Sequence, residues 1–407
     1  MPPPSPDAPR PALDLLRACG AAGLGAAGSG AAGGGAAFSE SVLRFRAAGG
    51  DWAELTALAA RHGLLPLLTR ALAAVPEEAP RQVFVDLWAR QERLALRNQV
   101  LAGTLLEVLG RLDAAGLPAL PFKGPVLADQ LHGDVALREF VDLDILVPAD
   151  RVREARALLE AAGFQPEFPL APRAERAFLR SPAQYHLLVR DPARDVAVEL
   201  HWRTDPDAPV EPAGDPAWWE RLPRRPFLQG SVRALPPEDL LLVLAFHGSK
   251  HHWERLGWLV DLAHLLHRHS ALDGAALARR AEALGASRRL ALGLDLAVRL
   301  LGAPVPPALA AWAAARPGLR ALAAPIEAAL GLPHPPAPGP FRRLARDLRL
   351  FDSLPRKAAY ATRTLFAPTL EEWTAWPLPP ALGWLYPALR VGRLAGRRVG
   401  GGGRGRA

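Results

Sequence analysis

Asp142 and Asp144 stand two residues apart and run straight into Ile145-Leu146-Val147. On a β-strand that spacing puts both carboxylates on one face, while the intervening and following apolar side chains anchor the strand in a sheet. Two acids on one face of a buried strand repel each other unless a cation lies between them. An oxygen-rich pair of this kind suits Mg²⁺, which takes one or two carboxylates together with substrate phosphates. The chemistry it points to is metal-assisted phosphoryl or nucleotidyl transfer. The same spacing also fits an exposed strand end with two solvated acids, and Asp-x-Asp alone does not separate the two.

The neighbouring segments add to the first reading. Upstream lies Leu120-Pro121-Phe122-Lys123-Gly124-Pro125, then an amphipathic stretch to about Leu131. Gly124 permits close backbone approach and Pro125 fits the first position of a helix, so the segment reads as strand, tight turn and helix N-terminus with Lys123 at its mouth. Such a turn holds phosphate oxygens through backbone N–H groups and a lysine. Arg138, four residues before Asp142, is placed to meet a phosphate or to pair with an acid. Lys123, Lys250 and Lys357 are the three lysines among 49 basic residues. Where arginine is the default cation, a lysine suggests a need for a compact point charge.

A third acid comes from a hairpin. Asp191-Pro192-Ala193-Arg194-Asp195 reads as a turn, and Val196 to Trp202 follows as its second strand. Alternation places Val196, Val198, Leu200 and Trp202 on one face and Ala197, Glu199 and His201 on the other. Glu199 is then the natural third ligand or base beside Asp142 and Asp144; a half-exposed sheet face is the equal alternative.

Taken together, Phe122-Lys123-Gly124, Arg138, Val141-Asp142-Leu143-Asp144-Ile145-Leu146-Val147 and Val198-Glu199-Leu200-His201-Trp202 resemble a bacterial family of uncharacterised nucleotidyltransferases within the polymerase-β-type superfamily. Asp51-Trp52, the run from Ala60 to Leu68 and the segment from His247 to Leu262 extend the likeness, which covers roughly residues 40–395. The resemblance implies an α+β fold, with a small mixed β-sheet core embedded in a mostly helical chain and metal-binding acids on adjacent strands. It implies Asp142 and Asp144 as the first two ligands of two Mg²⁺ ions. Glu199 stands where the third acid is often Asp, and Lys123-Gly124 replaces the Gly-Ser or Gly-Gly of the wider superfamily. The reaction implied moves an NMP group from an NTP to a hydroxyl, with one ion on the acceptor and one on the departing pyrophosphate. Lys123 and Lys250 would add positive charge near the phosphates, and His247, Lys250 and His251 would sit at the rim of the site.

Taken without the resemblance, His247 and His251 are four apart on one helical face, the spacing of zinc-protease histidines. Position 248 is Gly where that motif needs Glu, so a zinc-protease reading fails. His264 and His267 read as polar residues at a helix surface or core edge.

These residues need a scaffold, and the chain divides into segments that supply one. Residues 1–38 read as an unstructured Ala/Gly/Pro leader, 39–113 as N-terminal helices, 114–235 as the α/β core, and 236–331 as a helical domain. Residues 332–395 read as proline-linked helices and 396–407 as an unstructured Gly/Arg tail. Asp51 and Asp150 are candidate N-caps, and the span from about Pro80 to Asp113 reads as one long helix or two. Residues 18–39 carry no charge, but eight glycines between Gly20 and Gly35 give linker composition rather than a membrane span or signal peptide.

Composition sets outer limits. Half the residues are hydrophobic, enough for a real core. The single Cys19 excludes an internal disulfide and a thiolate metal site. Cytoplasmic residence is the expectation. The net charge of +8 falls to +2 without the last six arginines (Arg390, Arg393, Arg397, Arg398, Arg404 and Arg406), which have no acids among them. The body is therefore not broadly basic, and a nucleic-acid groove is not indicated. The expected partners are an NTP and a small-molecule or protein acceptor. Two other classes remain at this stage: a catalytically degenerate nucleotide-binding or antitoxin-like accessory module, and a helical scaffold in a biosynthetic pathway.

Overall fold

The computed structural model describes residues 10–22, 32–336, 339–376 and 378–400. Five short strands form a mixed sheet: β1 (Leu120–Pro121), β2 (Asp142–Leu146), β3 (Gln165–Pro166), β4 (His186–Asp191) and β5 (Val196–His201). Their order is β1-β2-β5-β4-β3. β2 and β5 are parallel, and every other pairing is antiparallel. Helices make up most of the remaining described chain, as expected for a small sheet in a mostly helical protein. No helix among the described residues is long and apolar enough to cross a membrane.

Alternation explains why β2 and β5 sit where they do. Leu143, Ile145, Val198 and Leu200 point into one apolar cluster and are almost completely buried. The single helix Arg81–Ala114 supplies Leu101, Leu105, Val108 and Leu112 to that cluster, and Val152–Ala161 adds Val152, Ala155 and Leu159. These positions recur every three or four residues, the period that places them on one helical face. The opposite parity of β2 and β5 carries Asp142, Asp144, Glu199 and His201.

Local rules hold at several boundaries. Asp51 caps the helix Trp52–His62 by accepting from the Ala53 N–H at 2.7 Å, and Gly63 ends it at φ 68°. At the other candidate cap, the helix begins at Val152 with Arg151 before it, and Asp150 makes no cap.

The leader departs from expectation. Residues Pro11–Ala22 and Ala32–Ala47 are helical, and Leu13, Leu15, Leu16, Cys19, Phe38, Val42 and Phe45 are buried in the largest apolar cluster. Gly20 is a packing residue rather than a linker residue. A Cβ there would lie 2.6 Å from Val260 Cγ2, so only glycine lets the two helices approach this closely. Residues 1–9 and 23–31 of the expected leader lie outside the described residues. At the other end, the helix Tyr386–Gly400 runs into the expected tail, whose last residues, 401–407, also lie outside.

Candidate active site

The turn between β1 and the helix Gly124–His132 brings Lys123 under the acids of β2. Gly124 has φ 58°, and a Cβ there would meet the Asp142 carbonyl at 3.3 Å. A side chain at this position would therefore meet both backbone strain and a close neighbour. Pro125 occupies the first turn of the helix, where its missing N–H costs nothing.

Parallel pairing sets Asp144 directly beside Glu199, with Asp142 beside Ala197. Antiparallel pairing sets His186 beside His201. The Asp142/Asp144 pair thus meets Glu199, which is adjacent in space and more than fifty positions further along the sequence.

The acids are held in different ways. Lys123 Nζ lies 2.7 Å from Asp144 Oδ1. His201 Nε2 lies 3.1 Å from the same oxygen and 3.0 Å from Glu199 Oε2. Burial works against ionisation of Asp144, but Lys123 and His201 overcome it and hold the carboxyl well below the usual carboxylate range. Burial likewise opposes charge on Glu199, and the His201 hydrogen bond and His186 reverse its effect. For His201 burial again opposes charge, and its bonds to Asp144 and Glu199 raise it above the ordinary imidazole value. Asp142 has no ion pair or side-chain hydrogen bond among the described residues. Burial and then the Asp144 carboxylate push it up to about 6.

A cleft of about 270 Å³ opens over this cluster, and the helix Pro237–Lys250 with the residue after it forms the opposite wall. His247, Lys250 and His251 line that wall. Lys250 Nζ contacts the Tyr185 hydroxyl at 2.6 Å and forms no carboxylate ion pair among the described residues. Burial and then Lys123 lower the Lys250 ammonium from its ordinary value. Burial depresses both histidines, His247 well below its ordinary value and His251 to about 3. The cleft therefore has an acidic floor and a wall whose cation is free of acids. That arrangement fits a bound dication on one side and phosphate oxygens on the other. Carboxylate oxygens from Asp142, Asp144 and Glu199 match the hard donors that Mg²⁺ takes, and the unpaired Asp142 is the donor with the most to gain.

The structure gathers Asp142, Asp144, Glu199, Lys123, Gly124, His247, Lys250 and His251 at this one place, with Asp144 buried beneath the floor. Arg138 is the exception. Its guanidinium is bonded on two nitrogens to Asp261 at 2.9–3.1 Å, so it pairs with an acid, and it does not line the cleft. Asp261 lies on a helix 123 positions away, a partner that no local spacing reveals.

Tyr185 and His186 also line the cleft and were not singled out from the sequence. Counting outward from the 191–196 turn pairs His186 with His201, so that signal was present. A larger hollow, about 980 Å³, lies past the C-terminal end of β2 between Val147 and Trp219, and none of the cleft's acids or lysines lines it.

A family model described as an uncharacterised nucleotidyltransferase matches residues 48–302, more than half of the chain, and the chain belongs to that family. No curated protein matches it, and no solved structure matches it.

Proposed function

We propose that this member of the nucleotidyltransferase family is an Mg²⁺-dependent enzyme that moves an NMP group from an NTP to a hydroxyl-bearing acceptor. The observation that supports this most is the convergence of Asp142 and Glu199 on the floor of one cleft, with Asp144 directly beneath, opposite a lysine that has no carboxylate ion pair among the described residues. Asp142, Asp144 and Glu199 would hold the dications, which when bound supply charge neutralisation at the phosphates and acidify the acceptor hydroxyl.

The chain's own residues do the rest. The Lys250 ammonium and the Lys123-Gly124 turn bind and orient the triphosphate, drawing its charge to one wall of the cleft. The acceptor oxygen attacks the α-phosphorus, and the bond to the pyrophosphate oxygen breaks. Glu199 takes the acceptor's proton, since among the described residues its Oε1 has no closer side-chain partner than His186 Nε2 at 3.7 Å. His201 keeps the Glu199 carboxylate turned toward Asp144.

The test uses the parent chain and Asp142→Ala with each labelled NTP, Mg²⁺ and a cell extract as the source of acceptor. The parent is expected to label an acceptor and release pyrophosphate, and the variant to do neither. Equal labelling by both would remove the reading.

One observation favours a second reading. Lys123 and His201 already satisfy Asp144 from within the chain, as they would in a nucleotide-binding module that has lost turnover. Tight NTP binding without pyrophosphate release, in every extract tried, would select that module.

A further inference from the structure

The transfer reading leaves His186 unexplained. Its side chain is roughly three-quarters buried and makes no hydrogen bond among the described residues, yet its Nε2 points at Glu199 Oε1 from 3.7 Å. Its ring stacks on His201 at 5.1 Å between centroids and 29° between planes. One donor atom each from His186, Glu199 and His201 lies within 4.8 Å of the other two. A proton shared by His201 between two carboxylates accounts for His201 and leaves His186 with nothing to do. A metal ion accounts for both.

We propose that His186, Glu199 and His201 form a separate transition-metal site on the cleft floor, taking a borderline dication of the manganese-to-zinc series in preference to Mg²⁺. It rests on the proposed function only in sharing Glu199 and the cleft.

The register builds the site. His186 and His201 are direct cross-strand partners, and Glu199 lies two residues before His201 on the same face. All three side chains therefore project from adjoining pleats of two paired strands, a rigid base for a set of ligands. Bonds of about 2.0–2.1 Å place neighbouring donors in a tetrahedral shell about 3.3 Å apart. Two of the donor separations, His201 Nε2 to Glu199 Oε2 at 3.0 Å and His186 Nε2 to Glu199 Oε1 at 3.7 Å, fall on either side of that figure. Two imidazoles and one carboxylate favour ions of the transition series over Mg²⁺, which prefers oxygen donors throughout. Three protein ligands also leave a position for an oxygen from the cleft, the pattern of reactive rather than purely structural sites.

Cobalt(II) is the probe, because its visible ligand-field spectrum distinguishes nitrogen-containing shells of low coordination from all-oxygen octahedral ones. The untagged full-length chain, stripped with chelator, is titrated with Co²⁺, and bound metal is counted by elemental analysis. The parent is expected to take one Co²⁺ with an intense visible band that a large excess of Mg²⁺ does not remove. His186→Ala and His186→Gln are each expected to lose the band and to bind Co²⁺ on the order of 100-fold more weakly. Asp142→Ala is expected to keep it. A parent without the band, a band unchanged in both His186 variants, or displacement by Mg²⁺ would overturn the proposal. The transfer reading fails separately, through labelling that survives in Asp142→Ala, so the two ideas do not stand or fall together.

Discussion

At the scale of single residues, Asp142 is the clearest lever. Among the described residues it makes no ion pair or side-chain hydrogen bond, whereas Asp144 has Lys123 and His201. Its folded value near 6, against 3.8 for the free side chain, means that the folded protein binds more protons between those pH values. Stability therefore falls as pH rises from about 4 to about 6 and remains lower above that. Asp142→Asn removes the charge and so is expected to stabilise the metal-free chain at pH 8 by about 1–2 kcal/mol, after discounting for partial exposure, with the difference vanishing near pH 4. Urea unfolding in chelator at both pH values measures it, and a variant less stable than its parent at pH 8 would contradict the sign. The same substitution is expected to abolish transfer, so stability and activity move in opposite directions, as they do where an active site stores strain. These residues were legible in the sequence because side-chain parity on a strand needs only a count of two. Asp142, Asp144 and Glu199 follow from that count. His186 follows only when the hairpin is counted from its turn, and the poor alternation of its own strand hid it.

At the scale of elements, the site depends on how the segment before β2 is tied to the helix Leu256–Arg268. Arg138 and Asp261 make that tie, their side chains only 14% and 6% exposed. Burial alone disfavours a charged guanidinium, but Asp261 more than compensates and raises its proton affinity. Breaking such a pair from one side leaves an isolated buried charge and costs about 3–5 kcal/mol, whereas replacing both partners by apolar groups restores much of it. Arg138→Leu is thus expected to lower the urea midpoint sharply, and Arg138→Leu with Asp261→Leu to recover most of the loss. Should Arg138→Leu keep its midpoint and lose nucleotide binding instead, the residue would return to the phosphate-gripping role that its spacing from Asp142 suggested. The turn before the helix Gly124–His132 is a second element-scale test. Gly124→Ala forces a side chain into φ 58° beside the Asp142 carbonyl. It is expected to cost about 1–2 kcal/mol and to weaken NTP binding, read as a thermal-shift response to NTP that falls along with the midpoint. The turn was readable because glycine and proline each report a local backbone requirement. The Arg138 partner was not, because ion pairs across elements leave no local pattern.

At the scale of the whole molecule, the N-terminal segment belongs to the fold. The lack of charge over residues 18–39 and the glycines there suggested a linker, yet Cys19, with Leu15 and Leu16 just before it, is buried against the same apolar cluster as the helices Leu256–Arg268 and Ser287–Leu301. Arg17 reinforces the contact by donating to the carbonyls of Leu300 and Arg299, and His264 Nε2 meets the Gly20 carbonyl at 3.0 Å. Composition misled here because a glycine that opens a linker and a glycine that lets two helices touch look alike until the facing residue, Val260, is known. The helix Leu256–Arg268 also carries Asp261, the partner of Arg138, so the first helix and the segment before β2 brace one and the same element. A disturbance of the first helix should therefore reach the cleft. Leu16 is fully buried, and Leu16→Ala is expected to lower global stability by about 2–5 kcal/mol, the cost of a core cavity. Deleting residues 1–22 should cost more and shift the Arg138→Leu midpoint by less than it shifts the parent's, since the two changes loosen the same helix. Urea unfolding of the four chains gives the coupling directly. Midpoints that do not respond to Leu16→Ala would make the first helix an appendage, and fully additive midpoints would show that the two braces act independently.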